Sequence, residues 1–168
     1  MLTVAREREG DRAGIRALVT AAMGPREAEL VERIRASEQF VPGLALVAAR
    51  HETLLGYALL SHVGLVGETG WTVLALAPVC VRPEWQRGGI GTRLVTTGLE
   101  YADELGEPLV TVLGDPGYYG RFGFEPASRF GIEPPAGMPV EAYSVKPLAG
   151  YRPDMRGQVV YPPAFDVV

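Results

Sequence analysis

A glycine-rich bend in the middle of the chain most limits what this sequence can fold into. Residues 79–91 read VCVRPEWQRGGIG, so an apolar strand runs into a proline-containing turn and then into a helix beginning near Thr92. Gly88, Gly89 and Gly91 carry no side chain, so the backbone can approach a ligand closely there. Unpaired N–H groups and the macrodipole both favour an anion at a helix N-terminus. The bend therefore predicts a phosphate-bearing ligand.

Two common nucleotide-binding loops do not fit this bend. A Walker A loop requires Lys followed by Ser or Thr after its last glycine, whereas Gly91 is followed by Thr-Arg. A dinucleotide-binding fingerprint requires a third glycine where this chain has Leu94. The segment does match the pattern Gln-x-x-Gly-x-Gly, through Gln86, Gly89 and Gly91.

A second informative segment, residues 113–126, reads LGDPGYYGRFGFEP. Its Tyr119, Gly123 and Phe124 have the spacing Tyr-x-x-x-Gly-Phe. Together with the Gln-x-x-Gly-x-Gly bend, this phrase resembles the GNAT superfamily of acyl-CoA N-acyltransferases. The whole of residues 113–126 and the ending YPPAF resemble the corresponding segments of the YhbS-like predicted N-acetyltransferases. This resemblance extends from about residue 22 to residue 165.

The resemblance implies that acetyl-CoA is the donor and that no metal takes part. The amides of the bend would hold the pyrophosphate, and the pantetheine arm would enter a gap where the fourth and fifth strands diverge. The residues expected to bind acetyl-CoA are Val79, Cys80, Val81, Gln86, Arg87, Gly88, Gly89, Ile90, Gly91 and Thr92.

The resemblance also assigns a catalytic role to Tyr119, whose phenol would protonate the departing thiolate. A backbone N–H group near residues 79–81 would stabilise the tetrahedral oxyanion. Many members of the superfamily place a glutamate on the fourth strand as the base, but residues 71–81 contain no carboxylate. A water chain is one substitute, and the carboxylates nearest by segment are Glu29, Glu68, Glu84 and Asp115.

The function expected from these features is transfer of an acetyl group from acetyl-CoA to a primary amine by direct attack. The acceptor would be a small molecule or a flexible peptide terminus, bound by the two N-terminal helices, the fourth strand and the C-terminal segment. One alternative is a CoA-binding or acyl-CoA-binding sensor or scaffold without turnover. A hydroxyl acceptor or a longer acyl group is a further alternative, and a homodimer is compatible with the superfamily.

Composition excludes several other classes of function. The chain has 168 residues and a net charge of −4, which suits one domain and argues against binding to nucleic acid or to anionic membranes. Cys80 is the one cysteine and lies in an apolar strand, so a buried thiol in a cytoplasmic protein is expected. His51 and His62 lack metal-ligand spacing. No apolar run is long enough to span a bilayer.

The order of predicted elements, β-α-α-β-β-β-α-β-α-β, indicates an α/β fold. The resemblance specifies a mixed, mostly antiparallel central sheet flanked by helices, with strands four and five splayed apart. Asp11 is expected to cap the first helix, and residues 64–70 to form a flexible connection. Pro78 is expected to mark either a bulge in the fourth strand or a place where its pairing stops. Residues 149–168 are expected to form a tail packed on a single domain comprising residues 1–168.

Overall fold

The computed structural model describes residues 1–167, which form one mixed sheet with α-helices on both faces. The strands are β1 (Leu2–Arg6), β2 (Phe40–Arg50), β3 (Thr53–Val66), β4 (Gly70–Val81), β5 (Leu109–Leu113), β6 (Glu125–Pro126), β7 (Ile132–Glu133), β8 (Tyr143–Pro147) and β9 (Gly157–Val160). The helices are α1 (Arg12–Ala22), α2 (Pro25–Arg35), α3 (Ile90–Glu104) and α4 (Pro116–Tyr119).

The sheet has the strand order β1-β2-β3-β4-β5-β8-β6, and β9 joins it by pairing with the end of β3 and with β7. The β4–β5 and β7–β9 pairs are parallel, and the other described pairs are antiparallel. The predicted mixed and mostly antiparallel α/β fold is therefore confirmed.

The strands β4 and β5 pair over a short distance and then separate. Leu74 is opposite Val110 and Ala75 is opposite Thr111, after which the described pairing between the two strands ends. The Thr111 hydroxyl donates a hydrogen bond of 3.0 Å to the Leu74 carbonyl at this point. The predicted splaying of the fourth and fifth strands is confirmed.

A bulge in β4 follows this short parallel pairing. The register with β3 shifts between the pair Leu60–Leu76 and the pair Ala58–Val79, which places Pro78 in the irregular stretch. Proline has no N–H group to donate to a neighbouring strand, so it is found where regular pairing is interrupted. The bulge predicted at Pro78 is confirmed.

Each face of the sheet is covered by its own apolar cluster. Helices α1 and α2 pack on one face through Ile15, Leu18, Val31 and Ile34. Helix α3 packs on the other face through side chains that include Ile90, Leu94, Val95, Leu99 and Ala102. Apolar burial holds α3 over β2, β3 and β4, and the N-terminus of α3 lies beside Val81 at the end of β4.

Two local predictions were wrong. Residues 64–66 are not a flexible connection but the end of β3, because they pair with β4 on one side and with β9 on the other. Asp11 stands directly before α1 but does not cap it, because its carboxylate accepts a hydrogen bond of 2.8 Å from the N–H group of Arg8 instead.

The C-terminal segment is part of the core packing. After β9, the residues Pro163–Phe165 form a short 3-10 turn, and Phe165 is 4% exposed against the face covered by α1 and α2. Arg33 on α2 donates a hydrogen bond of 2.9 Å to the Pro163 carbonyl. The segment therefore closes part of the face on which the two N-terminal helices lie.

A buried polar group connects the end of β1, α2 and β3. The Glu7 carboxylate accepts hydrogen bonds of 2.9 and 3.1 Å from the Arg35 guanidinium and one of 2.8 Å from the Tyr57 hydroxyl. The side chains of Arg35 and Glu7 are 11% and 4% exposed, so water cannot replace a lost partner well. Burial, together with the Glu7 charge, raises the pKa of Tyr57, which keeps the phenol protonated as a donor.

Replacing Glu7 by Gln is therefore expected to lower the free energy of unfolding by about 3 kcal/mol, because Arg35 is left buried without its counter-ion. Urea unfolding measures this change. The matched control is Glu32→Gln, which removes the carboxylate of the exposed Arg16–Glu32 pair and is expected to cost less than about 1 kcal/mol. Equal losses in the two variants would contradict a special role of the buried group.

Candidate active site

The bend after β4 is held in place by side chains at its two ends. The chain passes through a 3-10 turn at Pro83–Trp85, after which the Gln86 amide donates a hydrogen bond of 3.1 Å to the Val81 carbonyl. The Arg82 guanidinium donates one of 2.6 Å to the Leu54 carbonyl on β3. Gln86, singled out by the sequence pattern, therefore fastens the bend to the end of β4 by its side chain.

The backbone N–H groups of residues 87–92 lie in the bend and the first turn of α3. Arg87 and Gly89 have φ values of 68° and 84°, and Gly89 occupies the N-cap position without a capping side chain. The first backbone bond of this helix runs from the Arg93 N–H group to the Gly89 carbonyl. Within residues 1–167, the N–H groups of residues 87–92 have no backbone partner. Such a run of free amides at a helix N-terminus is suited to binding an anion.

A cleft of about 290 Å³ lies between this bend, the end of β4 and the helix α4. The residues that line it are Ala22, Met23, Val79, Cys80, Val81, Gln86, Gly91, Tyr118 and Tyr119. Because β4 and β5 have separated at this level, the backbone of β4 borders the cleft instead of a neighbouring strand. The cleft thus has both polar and apolar lining, with the start of α3 at one end and two phenols on one wall.

Tyr119 is a well-packed phenol on this wall. Asp115 caps α4 by accepting a hydrogen bond of 2.9 Å from Gly117 N–H. The Tyr119 ring contacts Phe124 edge to face at 5.6 Å between centroids, and a side chain on Gly114 would collide with it. Burial, with a smaller effect of Tyr118, raises the pKa of Tyr119 to about 12. The phenol is therefore protonated at neutral pH, as a general acid must be.

The carboxylates considered as a base lie away from this cleft. Glu29, Glu68 and Glu84 are exposed, and the Asp115 carboxylate caps α4. Glu107, 15% exposed, forms a contact of 2.9 Å with the imidazole of His62. None of these side chains lines the cleft.

A group of aromatic side chains covers the other face of the sheet near the same separation point. The hydroxyls of Tyr143 and Tyr161 lie 3.4 Å apart, and the Tyr161 ring packs on Phe165 at 4.6 Å. Burial raises the pKa of Tyr143 and also that of Tyr161, so both phenols are neutral at neutral pH. Within the same face, the Ser61 hydroxyl is buried and has no hydrogen-bond partner among residues 1–167.

The structure brings most of the sequence-predicted site residues together. Val79–Val81, Gln86, Gly91 and Tyr119 line the cleft, whereas the predicted residues Arg87, Gly88, Gly89 and Thr92 are not among those that line it. The side chain of Ile90 packs in the core, so this residue can offer a ligand its backbone only. Sequence reasoning missed Tyr118, because neither the Gln-x-x-Gly-x-Gly nor the Tyr-x-x-x-Gly-Phe pattern specifies that position.

Comparison with known proteins identifies the family. The model of the GNAT acetyltransferase domain matches residues 4–127 of the chain. This chain belongs to the GNAT acetyltransferase family. The match includes the glycine-rich bend and α4, and it ends before the C-terminal segment that covers the opposite face of the sheet.

Relatives of known sequence support the same assignment. The uncharacterized N-acetyltransferase YjhQ of Escherichia coli K12 is 37% identical over 122 residues, which cover 71% of this chain and 67% of YjhQ. The uncharacterized N-acetyltransferase YhbS of the same strain is 37% identical over 121 residues, which cover 70% of each protein. The resemblance to YhbS-like N-acetyltransferases is confirmed.

Solved structures of this family extend the likeness to nearly the whole chain. The structure of E. coli YhbS in complex with CoA has a TM-score of 0.88 at 31% identity and covers 98% of this chain and 92% of YhbS. A GNAT acetyltransferase from Brucella melitensis in complex with acetyl-CoA has a TM-score of 0.80 at 31% identity, with 99% of both chains covered. The C-terminal segment of this chain therefore has a counterpart in these relatives.

Two kinds of feature are absent from the described part of the chain. Among residues 1–167, no helix combines the length and the apolar character that a membrane span requires. In the same residues, no three His, Cys, Asp or Glu side chains are grouped as metal ligands.

The thiol of Cys80 offers a direct test of the packing in the cleft. Burial raises the pKa of Cys80 to about 11, from an ordinary value of 9.0, so the thiolate is scarce at pH 8. Iodoacetamide should therefore alkylate the folded protein about 100-fold more slowly than the urea-unfolded chain. Mass spectrometry reads the reaction without ambiguity because the chain has one cysteine. Equal rates would show that the thiol is exposed.

Proposed function

We propose that this GNAT acetyltransferase transfers an acetyl group from acetyl-CoA to a primary amine by direct attack. The observation that carries the proposal is the run of free amides at residues 87–92, in which Gly91 lines the same cleft as the protonated phenol of Tyr119. The CoA and acetyl-CoA complexes of the two similar structures support the choice of donor.

The amides of residues 87–92 hold the pyrophosphate of the donor in this proposal. Gly88 and Gly89 keep the approach open, because a Cβ atom on Gly89 would meet no protein atom within 4 Å. The residues that bind the donor are those expected from the sequence, Val79 to Val81 and Gln86 to Thr92. The pantetheine arm lies along the end of β4, whose backbone borders the cleft after β5 has turned away.

The reaction then needs one proton transfer to the leaving group. The amine nitrogen attacks the thioester carbonyl carbon, a C–N bond forms and the C–S bond breaks. Tyr119 donates its phenolic proton to the departing thiolate sulfur, a backbone N–H group near Val79–Val81 stabilises the oxyanion, and solvent takes the proton of the attacking nitrogen and reprotonates the phenol. Within residues 1–167, no carboxylate lines the cleft as a base, so the amine loses its proton to water.

The acceptor proposed is a small amine or a flexible peptide terminus. The C-terminal segment closes the face of the sheet opposite α3, where Tyr161 and Phe165 pack with the two N-terminal helices. A sheet face covered in this way favours a slender acceptor over a folded protein surface.

Replacing Tyr119 by Phe is expected to lower kcat about 100-fold and to leave the acetyl-CoA dissociation constant nearly unchanged, because the ring keeps its packing and the acid is lost. Release of free thiol with a panel of amines measures kcat, and calorimetry measures binding. Unchanged turnover would remove Tyr119 from the mechanism. Binding of acetyl-CoA by the unmodified protein without turnover on any amine would favour a sensor instead.

Replacing Gly89 by Val is expected to weaken acetyl-CoA binding at least about tenfold, because a β-branched residue does not adopt its φ of 84° and the amides must move. The matched control is Gly106→Val at the other end of the same helix. Gly106 has a φ of 83°, and a Cβ atom placed on it would likewise meet no atom within 4 Å, so the backbone cost is similar. Equal affinities in the two variants would refute the assignment of the bend.

A further inference from the structure

Tyr118 lies beside the first turn of α3, next to the free amides. A Cβ atom placed on Gly91 would lie 3.1 Å from the Tyr118 hydroxyl oxygen, so the phenol occupies the space that a side chain at position 91 would need. Tyr118, Gly91 and Gln86 line the same cleft. The hydroxyl thus reaches the end of the cleft where the helix presents its N–H groups, while Tyr119 packs deeper against Phe124.

The ring of Tyr118 is held by three neighbours. It packs edge to face on Tyr119 at 5.0 Å and on Phe122 at 5.4 Å between centroids. The Arg121 guanidinium lies over its face, 4.5 Å from the ring centroid. The ring is therefore oriented before a ligand binds, which lowers the entropy that a hydrogen bond from its hydroxyl must overcome.

The charges around the hydroxyl also favour an anion. Arg121 supplies a positive charge on this wall, and the macrodipole of α3 adds partial positive charge at the helix N-terminus beside the hydroxyl. The nearest carboxylate of the same helix, that of Asp115, is turned to its own backbone and accepts from Gly117 N–H. A hydroxyl in this position is suited to donate to a phosphate oxygen.

We propose that Tyr118 is a donor-binding residue whose hydroxyl donates a hydrogen bond to the pyrophosphate of acetyl-CoA. This inference rests on the proposed function and gives the two adjacent phenols different roles. Tyr118 contacts the phosphate end of the donor, whereas Tyr119 acts at the sulfur. Gly91 is then required because a side chain there would displace the Tyr118 hydroxyl.

The test compares acetyl-CoA with S-acetyl-pantetheine, which keeps the thioester and lacks both the pyrophosphate and the 3′-phosphoadenosine. Calorimetry measures the dissociation constant of acetyl-CoA, and competition against acetyl-CoA measures that of the weaker truncated donor. Tyr118→Phe is expected to weaken acetyl-CoA binding about 10-fold to 100-fold and to leave S-acetyl-pantetheine binding unchanged, as for a hydrogen bond to a charged group. Tyr119→Phe is expected to change neither dissociation constant appreciably.

Two results would overturn the inference. Equal weakening of both donors by Tyr118→Phe would place the phenol at the pantetheine or in the packing of the cleft, and no weakening of either would exclude a contact with the donor. Phe122→Leu is the packing control, because it loosens the support of the Tyr118 ring without removing a hydroxyl. Thermal unfolding checks that each variant is folded.

The experiment also separates this inference from the proposed function. If the unmodified protein binds acetyl-CoA no better than S-acetyl-pantetheine, the assignment of the bend as a pyrophosphate site fails. If the unmodified protein prefers acetyl-CoA and Tyr118→Phe keeps the same preference, the proposed role of Tyr118 is wrong, but the assignment of the bend is not affected.

Discussion

The separation of β4 from β5 is the constraint on which the candidate active site depends. Two residue pairs join these parallel strands, and then the bulge at Pro78 and the turn of β5 toward α4 leave the end of β4 without a neighbour on that side. Unpaired backbone in a sheet is costly unless water or a ligand satisfies it, so a gap of this kind is a natural binding site. The cleft exists because the sheet does not close there.

Helix α3 determines which end of this gap carries the free amides. Its apolar stripe packs on the sheet through Ile90, Leu94 and Val95, which fixes its N-terminus beside the end of β4. The free amides therefore face one end of the cleft, and α4 brings two phenols to the wall. The free amides and the two phenols are separated along the cleft, an arrangement that suits the proposed donor, which has phosphates at one end and a thioester at the other.

Local patterns predicted the donor side of the site. A glycine-rich bend between a strand and a helix leaves few backbone alternatives, so Gln86, Gly89 and Gly91 could be predicted as site residues from spacing and family resemblance. Tyr119 was predicted in the same way. The strand β9 was missed because it pairs with the end of β3, and the paired residues are more than ninety positions apart. No pattern in residues 157–160 indicates which strand they pair with. The assignment of residues 64–66 as a connection failed for the same reason.

The buried Glu7–Arg35–Tyr57 group and the position of Tyr118 were likewise invisible in the sequence, because each depends on elements that meet only after folding. The sequence by itself determined the family, the order of elements, the helix N-terminus that offers its amides and the phenol that follows β5. These features come from residue types at short spacings, where steric and hydrogen-bonding rules act within one or two turns.

Tertiary structure alone decided which side chains face the cleft, which carboxylates lie outside it and how the C-terminal segment covers the opposite face. Those outcomes depend on long-range packing, in which the free energy of burial is shared among many residues and no single stretch of chain encodes it.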